Sequence, residues 1–197
     1  MNTIEWLNDQ ASALVKARES KRPILLEFIK DGCSGCAKME LEVFADPQVA
    51  ETIAATFTPL RQNIITDRSM RSELGALWTP SFYFLTTNAK LLWFSEGPMN
   101  WEDFLVLLIT GQARDLLHHG KYLAAVDVLD EAITKNPKHV RTAHLIFLRG
   151  MAYYLNYHDK DVFHSAMMEI VEEHPNSPEA RMWPWVDQFP KPPPPKT

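Results

Sequence analysis

Cysteine is scarce in this chain: two in 197 residues, Cys33 and Cys36, both inside one four-residue window. That scarcity excludes a disulfide framework, because a bridge across Cys33-Ser34-Gly35-Cys36 closes almost no loop and gains little as a structural staple. A structural zinc site asks for four ligands, and no second Cys or His pair at short spacing accompanies the first. Positive charge is not in excess: 20 Lys and Arg against 25 Asp and Glu leave a net charge of −5. That balance argues against nucleic acid or an anionic membrane surface as a partner. Long apolar runs are missing too. The longest near the middle, Phe104 to Ile109, is far too short to span a bilayer. Met1 to Trp6 has no basic region leading into an apolar core, so no signal peptide is expected, and the expected setting is cytoplasmic.

What is present is enough apolar material for a packed core, 46% of residues, in a length that suits one large domain or two small ones. With staple and zinc set aside, the cysteine pair reads as a dithiol that opens and closes, the arrangement of thiol–disulfide redox chemistry. In a reducing compartment a lone CxxC stays largely reduced, which suits reduction of partners better than their oxidation.

The first half of the chain alternates helix and strand signals. Residues 3 to 19 carry Ile4, Leu7, Ala11, Leu14 and Val15 on one helical stripe, with Asn2 or Thr3 as cap and Arg22-Pro23 as stop. Ile24 to Ile29 is a near-continuous apolar run of strand length, as in a central strand covered on both faces. Asp31-Gly32 turns the chain, and Cys33 sits where the next helix begins, continued by Met39, Leu41 and Val43. Asp46-Pro47 opens another helix to about Thr56. A second strand is expected over Pro59 to Ile64 and a short helix over Asp67 to Gly75. Ser81 to Leu85 and Leu91 to Phe94 read as a hairpin turning at Thr87-Asn88, and Asn100 caps a last helix through Ile109. The order α-β-α-α-β-α-β-β-α predicts an α/β fold, a mixed sheet sandwiched by helices.

A thiol at a helix N-terminus faces unpaired N–H groups and the positive end of the dipole, which can lower its pKa from about 8.5 to roughly 7 or below. Cys33 is therefore the expected attacking thiolate. Cys36, one turn further in, is the expected resolving thiol. Glu27 lies on the strand that delivers the motif; buried there, it would have a raised pKa and could take the proton from Cys36.

These residues carry a resemblance. Ile24-Leu25-Leu26-Glu27-Phe28, then Cys33-x-x-Cys36-x-Lys38-Met39-Glu40-x-x-Val43-Phe44-x-Asp46-Pro47-x-Val49, with Trp78-Thr79-Pro80-Ser81-Phe82 further on, resemble the thioredoxin superfamily over roughly the first 109 residues. The resemblance implies a thioredoxin-like fold and a redox-active Cys33–Cys36 pair that needs no other cofactor. It places a cis proline at Pro80 beside the dithiol and a substrate-facing backbone at Thr79, next to Trp78. Glu27 falls where thioredoxins carry a buried acid. Two departures stand out: Gly32 occupies the place of the tryptophan common before the first cysteine, and Ser34-Gly35 replaces Gly-Pro.

After Ile109 the strand signals stop. Gly120-Lys121-Tyr122-Leu123-Ala124-Ala125-Val126, continuing to Leu129, Ala132 and Pro137, resembles a tetratricopeptide repeat. A weaker second copy opens at Gly150-Met151-Ala152-Tyr153 and ends at Pro175, a spacing slightly above the usual period of about 34, with the insertion placed around Asn156 to Lys160. Ser177-Pro178-Glu179 begins a capping helix carrying Met182, Trp183 and Trp185. The tail from Pro190 is polyproline-like and expected to be disordered. The expected division is 1–109 as a thioredoxin-like domain, 110–186 as a small all-α repeat-like domain and 187–197 as a tail. With only Thr110-Gly111 between the halves, a fixed apolar interface using Leu105, Leu108 and Ile109 is expected.

Blander readings stand beside these. The cysteines could be inert small residues, or share a metal across a dimer. Glu27 could be an exposed edge carboxylate, and Pro80 an ordinary trans turn proline. His118-His119 point apart on a helix and suit its C-terminus better than a metal. Tyr153, Tyr154 and Tyr157 read as repeat core, Trp183 and Trp185 as core caps, and Lys30, Asp31 and Lys38 as solvated. Two functions follow. One is a disulfide reductase acting on protein clients, recharged by a reductase or partner dithiol. The other is a redox-inactive adaptor or co-chaperone that binds proteins through its helical repeats.

Overall fold

Along Ile24–Ile29 the side chains alternate between two faces, and both faces are covered. In the computed structural model, which describes residues 4–182, this segment is β1. It is flanked by β2 (Thr58–Asn63), β3 (Ser81–Leu85) and, beyond β3, β4 (Leu91–Glu96). The sheet order is β2-β1-β3-β4, with β1 parallel to β2 and antiparallel to β3, and β3 antiparallel to β4. The helices are α1 (Gln10–Ser20), α2 (Ser34–Lys38), α3 (Pro47–Thr56), α4 (Arg68–Leu74) and α5 (Trp101–His118). This is the expected mixed sheet flanked by helices, followed by a helical region.

The two faces of β1 feed two cores. Ile24, Leu26 and Phe28 join Leu60, Tyr83 and Leu85 under α1 and α4, against Ala13, Ala17 and Met70. Leu25 joins Phe82 and Phe84 on the other face, covered by Met39, Val43, Phe44, Ile53, Phe104 and Leu108. Each fully buried large side chain contributes roughly 1.5–3 kcal/mol, so these two layers hold the sheet. Glu27 shares the face of Leu25 by the two-residue period of the strand, opposite Phe82 in register.

Four expectations about elements are corrected. The first helix starts at Gln10, because Asp9 accepts the Ser12 N–H at 2.7 Å and caps it there. Leu7, read as helical, instead lies in a parallel bridge to Leu60, and Val15 of the expected apolar stripe is 54% exposed. The suggested cap at Asn2 or Thr3 lies outside the described residues. After α2 the helix widens into a π-helical segment, Met39–Val43, that buries Met39 and Val43 and leaves Leu41 outside. The helix begun at Asn100, whose Oδ1 accepts the Asp103 N–H at 2.7 Å, does not stop at Ile109 but runs to His118. Gly111 sits inside it as a point of close approach: its Cα faces the ring of Phe84, where a β-carbon would overlap the ring. Leu105 and Leu108, expected to face the second half, belong to the core beneath the sheet.

The chain divides into two compact units, Met1–Asp115 and Leu116–Thr197, and the boundary falls within α5. In the second unit α6 (Tyr122–Lys135), α7 (Thr142–Tyr157) and α8 (Lys160–Glu173) pack in succession, and a single turn, α9 (Pro178–Arg181), follows. Ala125, Val126 and Ala152 form one small core with Leu116, Leu117 and Tyr153, and Ala143, Ile146, Met167 and Ile170 another. Gly150, read as a repeat opening, is mid-helix; a β-carbon there would come within 2.6 Å of Ala166 Cβ, so glycine lets α7 and α8 approach. Within Asn156 to Lys160, where an insertion is expected, α7 and α8 are joined by the tight His158-Asp159 connection. Of the tyrosines expected in the core, Tyr153 packs there, whereas Tyr154 and Tyr157 are exposed. His118 ends α5, and Gly120, with φ +69°, turns the chain after it. Trp183, Trp185 and the proline tail lie outside the described residues.

Candidate functional site

The turn Asp31-Gly32, with Gly32 at φ +71°, brings Cys33 to the N-cap of α2. Cys33 and Cys36 are joined as a disulfide with their Cα atoms 5.3 Å apart. The Cys36 backbone N–H donates to Cys33 Sγ at 3.1 Å, so Cys33 occupies the place an N-capping oxygen would take. Ser34 is exposed and both cysteines are half-buried.

Thr79 and Pro80 arrive just before β3, whose Ser81 pairs with Phe28 near the end of β1 that leads to the motif. The Thr79–Pro80 peptide is cis, and Thr79 Oγ1 donates to Cys33 Sγ at 3.5 Å. Gly35 makes this approach possible: a β-carbon there would stand 2.9 Å from Pro80 Cδ and 3.4 Å from Pro98 Cγ. Gly35→Ala is expected to push the dithiol off Pro80, slowing exchange with protein disulfides several-fold for a stability loss of about 1 kcal/mol. Stopped-flow exchange rates beside denaturation curves check this; an unchanged rate would show that the close approach is not required.

Glu27 is fully buried on the inner strand, which rules out the exposed edge carboxylate. Its Oε2 accepts from Arg61 Nε at 2.7 Å, while its Oε1 has no hydrogen-bond partner. Burial outweighs the Arg61 guanidinium, and the Glu27 pKa is pushed up to about 7. Arg61 in turn binds Glu40 Oε2 at 2.8 Å and lies over the Trp6 ring at 4.5 Å. Arg61 was not singled out in the sequence; the signal that locates it is the parallel register, which sets Glu27 beside Arg61.

A groove of about 500 Å³ opens in front of Cys33, walled by Gly35, Thr79, Pro98, Ile65, Leu77 and Trp78. Leu77 and Trp78 are 80% and 63% exposed. The structure thus sets Cys33, Trp78 and Thr79 around one opening, with Cys36 bonded to Cys33 and Pro80 against Gly35, while Glu27 is buried in β1 and paired with Arg61. Lys30 and Asp31 are exposed as expected, and Lys38 pairs loosely with Glu42 at 3.8 Å. Among the described residues no cluster of three or more His, Cys, Asp or Glu could hold a metal ion. No described helix is long and apolar enough to cross a membrane.

A dithiol at a strand-to-helix junction, faced by a cis proline at the start of the neighbouring strand of a mixed sheet, defines a thioredoxin-like domain with a disulfide-oxidoreductase fold. Residues 5–86 match the thioredoxin-like family model accordingly. Over 108 residues the chain is 31% identical to the thiol:disulfide interchange protein DsbD 1 of Pseudomonas aeruginosa, a match that takes in 52% of this chain and 17% of that one. The chain therefore spans only about a sixth of that relative. A candidate disulphide-isomerase from Bacteroides thetaiotaomicron superposes with a TM-score of 0.51 at 18% identity, covering 55% of this chain and 93% of that one, and supports the fold. A thioredoxin from Thermus thermophilus gives 0.48 at 24% identity, over 55% of this chain and 85% of that one.

Proposed function

We propose that this protein is a thiol–disulfide oxidoreductase that reduces or exchanges disulfides on protein clients. The observation that carries the reading is Cys33 at a helix N-terminus, beside Thr79 and cis Pro80, at the mouth of an open groove. In the reduced protein the Cys36 N–H and the helix end favour the Cys33 thiolate. It attacks one sulfur of a client disulfide, forming a Cys33–client bond and releasing the other client sulfur as a thiolate. Cys36 loses its proton to the Glu27 carboxylate and attacks Cys33 Sγ. The second client thiolate leaves, and the Cys33–Cys36 disulfide holds the two electrons' worth of oxidation. A reductase or partner dithiol restores the dithiol. Trp78 and Thr79 line the path by which an extended client segment reaches Cys33. The reading assigns the protein to a reducing, cytoplasmic setting. The name of the Pseudomonas relative supports thiol–disulfide chemistry in this half of the chain.

The helical unit favours an addition. Its tetratricopeptide-like Gly120-Lys121-Tyr122 segment and its packed α6–α8 suit the recruitment of protein partners. A redox-inactive adaptor is the rival, motivated by that unit and by Gly32 in place of tryptophan.

Insulin reduction by dithiothreitol, followed by turbidity, tests the choice. The protein is expected to accelerate it and Cys33→Ser to abolish the effect, while Cys36→Ser traps mixed disulfides on Cys33. No acceleration and no trapped species would leave only the adaptor.

A further inference from the structure

The groove at Cys33 carries charge of one sign. Lys30 and Arg71 line it, and no Asp or Glu does. A second depression of about 400 Å³ adjoins it, sharing Arg71 and Leu77 and adding Arg68, again with no acid. Arg71 belongs to both, so the cations run in order from Lys30 beside the dithiol, through Arg71, to Arg68 on the first turn of α4. No acid faces them in either depression: Asp67, whose carboxylate accepts the Asn63 N–H at 2.8 Å, lines neither, and nor do Asp31 and Glu73. Among the described residues none of the three cationic side chains has an ion pair or a side-chain hydrogen bond. In a chain of net charge −5, this is a local reversal of sign. Between the cations the floor is apolar: Ile65 is 50% exposed and Leu77 80%.

We propose that this path selects disulfide-bearing client segments with acidic residues flanking the cysteine, an extended acidic peptide whose carboxylates meet Lys30, Arg71 and Arg68 while an apolar side chain rests on Leu77. The proposal rests on the oxidoreductase reading for its cysteine and deepens it by naming the client chemistry. Three exposed pairs, each modest alone, together give roughly tenfold discrimination, read mainly in the association rate. The preference weakens as salt rises, because the heads are solvent-exposed.

The test uses three otherwise identical peptides whose positions flanking one cysteine are all glutamate, all glutamine or all lysine, each cysteine blocked as a mixed disulfide with thionitrobenzoate. The reduced full-length protein is expected to react roughly tenfold faster with the glutamate than with the glutamine peptide at low salt, and slowest with the lysine peptide. Arg68→Glu with Arg71→Glu reverses that order. A second arm measures binding of the same sequences, with serine at the cysteine, to a Cys33→Ser, Cys36→Ser protein by fluorescence anisotropy. Equal rates and equal binding for all three peptides overturn the charge proposal and leave the redox reading standing. A glutamate preference in binding, with no reaction of any peptide, upholds the charge proposal and removes the redox one. A salt-insensitive preference overturns the electrostatic assignment without any variant.

Discussion

Between pH 5 and pH 8 the protein is expected to lose on the order of 2–3 kcal/mol of stability relative to its Glu27→Gln variant. The cause is the buried carboxyl, whose pKa is raised from 4.5 to about 7 chiefly by loss of water, Arg61 notwithstanding. A raised acid binds its proton more tightly folded than unfolded. The favourable contribution is therefore whole below pH 4.5 and is lost as pH rises through 7, where the fold must hold a buried carboxylate. Urea denaturation of both proteins across that range measures it, and a difference that stays flat with pH would mean that Glu27 titrates as an ordinary acid. The same substitution bears on the proposed chemistry. If Glu27 is the base for Cys36, its loss should slow release of the mixed disulfide by about a hundredfold near neutral pH, while the first attack by Cys33 is little changed. Equal slowing of both steps would assign Glu27 a structural part only.

Gly111→Ala should cost about 3 kcal/mol, the upper end of what overpacking does to a core. The methyl group would enter the ring of Phe84, which is itself fixed against Phe57 at 5.4 Å between centroids in a fully buried layer. Neither neighbour has room to move, because interiors are close-packed and the backbone of α5 carries buried residues on both sides of the glycine, Thr110 and Ala113. Gln112→Ala, one residue on and half-buried, serves as the control and should shift stability by no more than about 0.5 kcal/mol. If Gly111→Ala unfolds at the same denaturant concentration as the parent chain, the helix does not lie as close to the sheet as described.

Both predictions turn on features that were unequally visible in the sequence. The order of strands and helices up to Asn100 was legible, because apolar runs, Asp46-Pro47 and the paired strands near Thr87 are local signals. The placing of Cys33 at a helix start was legible for the same reason. Glycines were not. Gly111 and Gly150 look like punctuation from within the chain, yet each sits mid-helix because another element comes close, and only the partner, Phe84 or Ala166, explains it. The start of the first helix is hidden because the apolar spacing from Ile4 is a longer signal than Asp9 ahead of Ser12. Arg61 and the cationic path along α4 were invisible since both depend on register and on which helix end meets the dithiol, neither of which any single stretch of residues encodes.

Gly32 bears on how such a site can change over generations. Its φ of +71° is a backbone setting that a residue with a β-carbon holds only at a cost of about 1–2 kcal/mol, although the space around it is open. Installing an aromatic there is thus disfavoured by the shape of the Asp31-Gly32 turn and not by crowding. The ground before the dithiol therefore stays uncovered, and the groove there is walled instead by Ile65, Arg71 and Leu77.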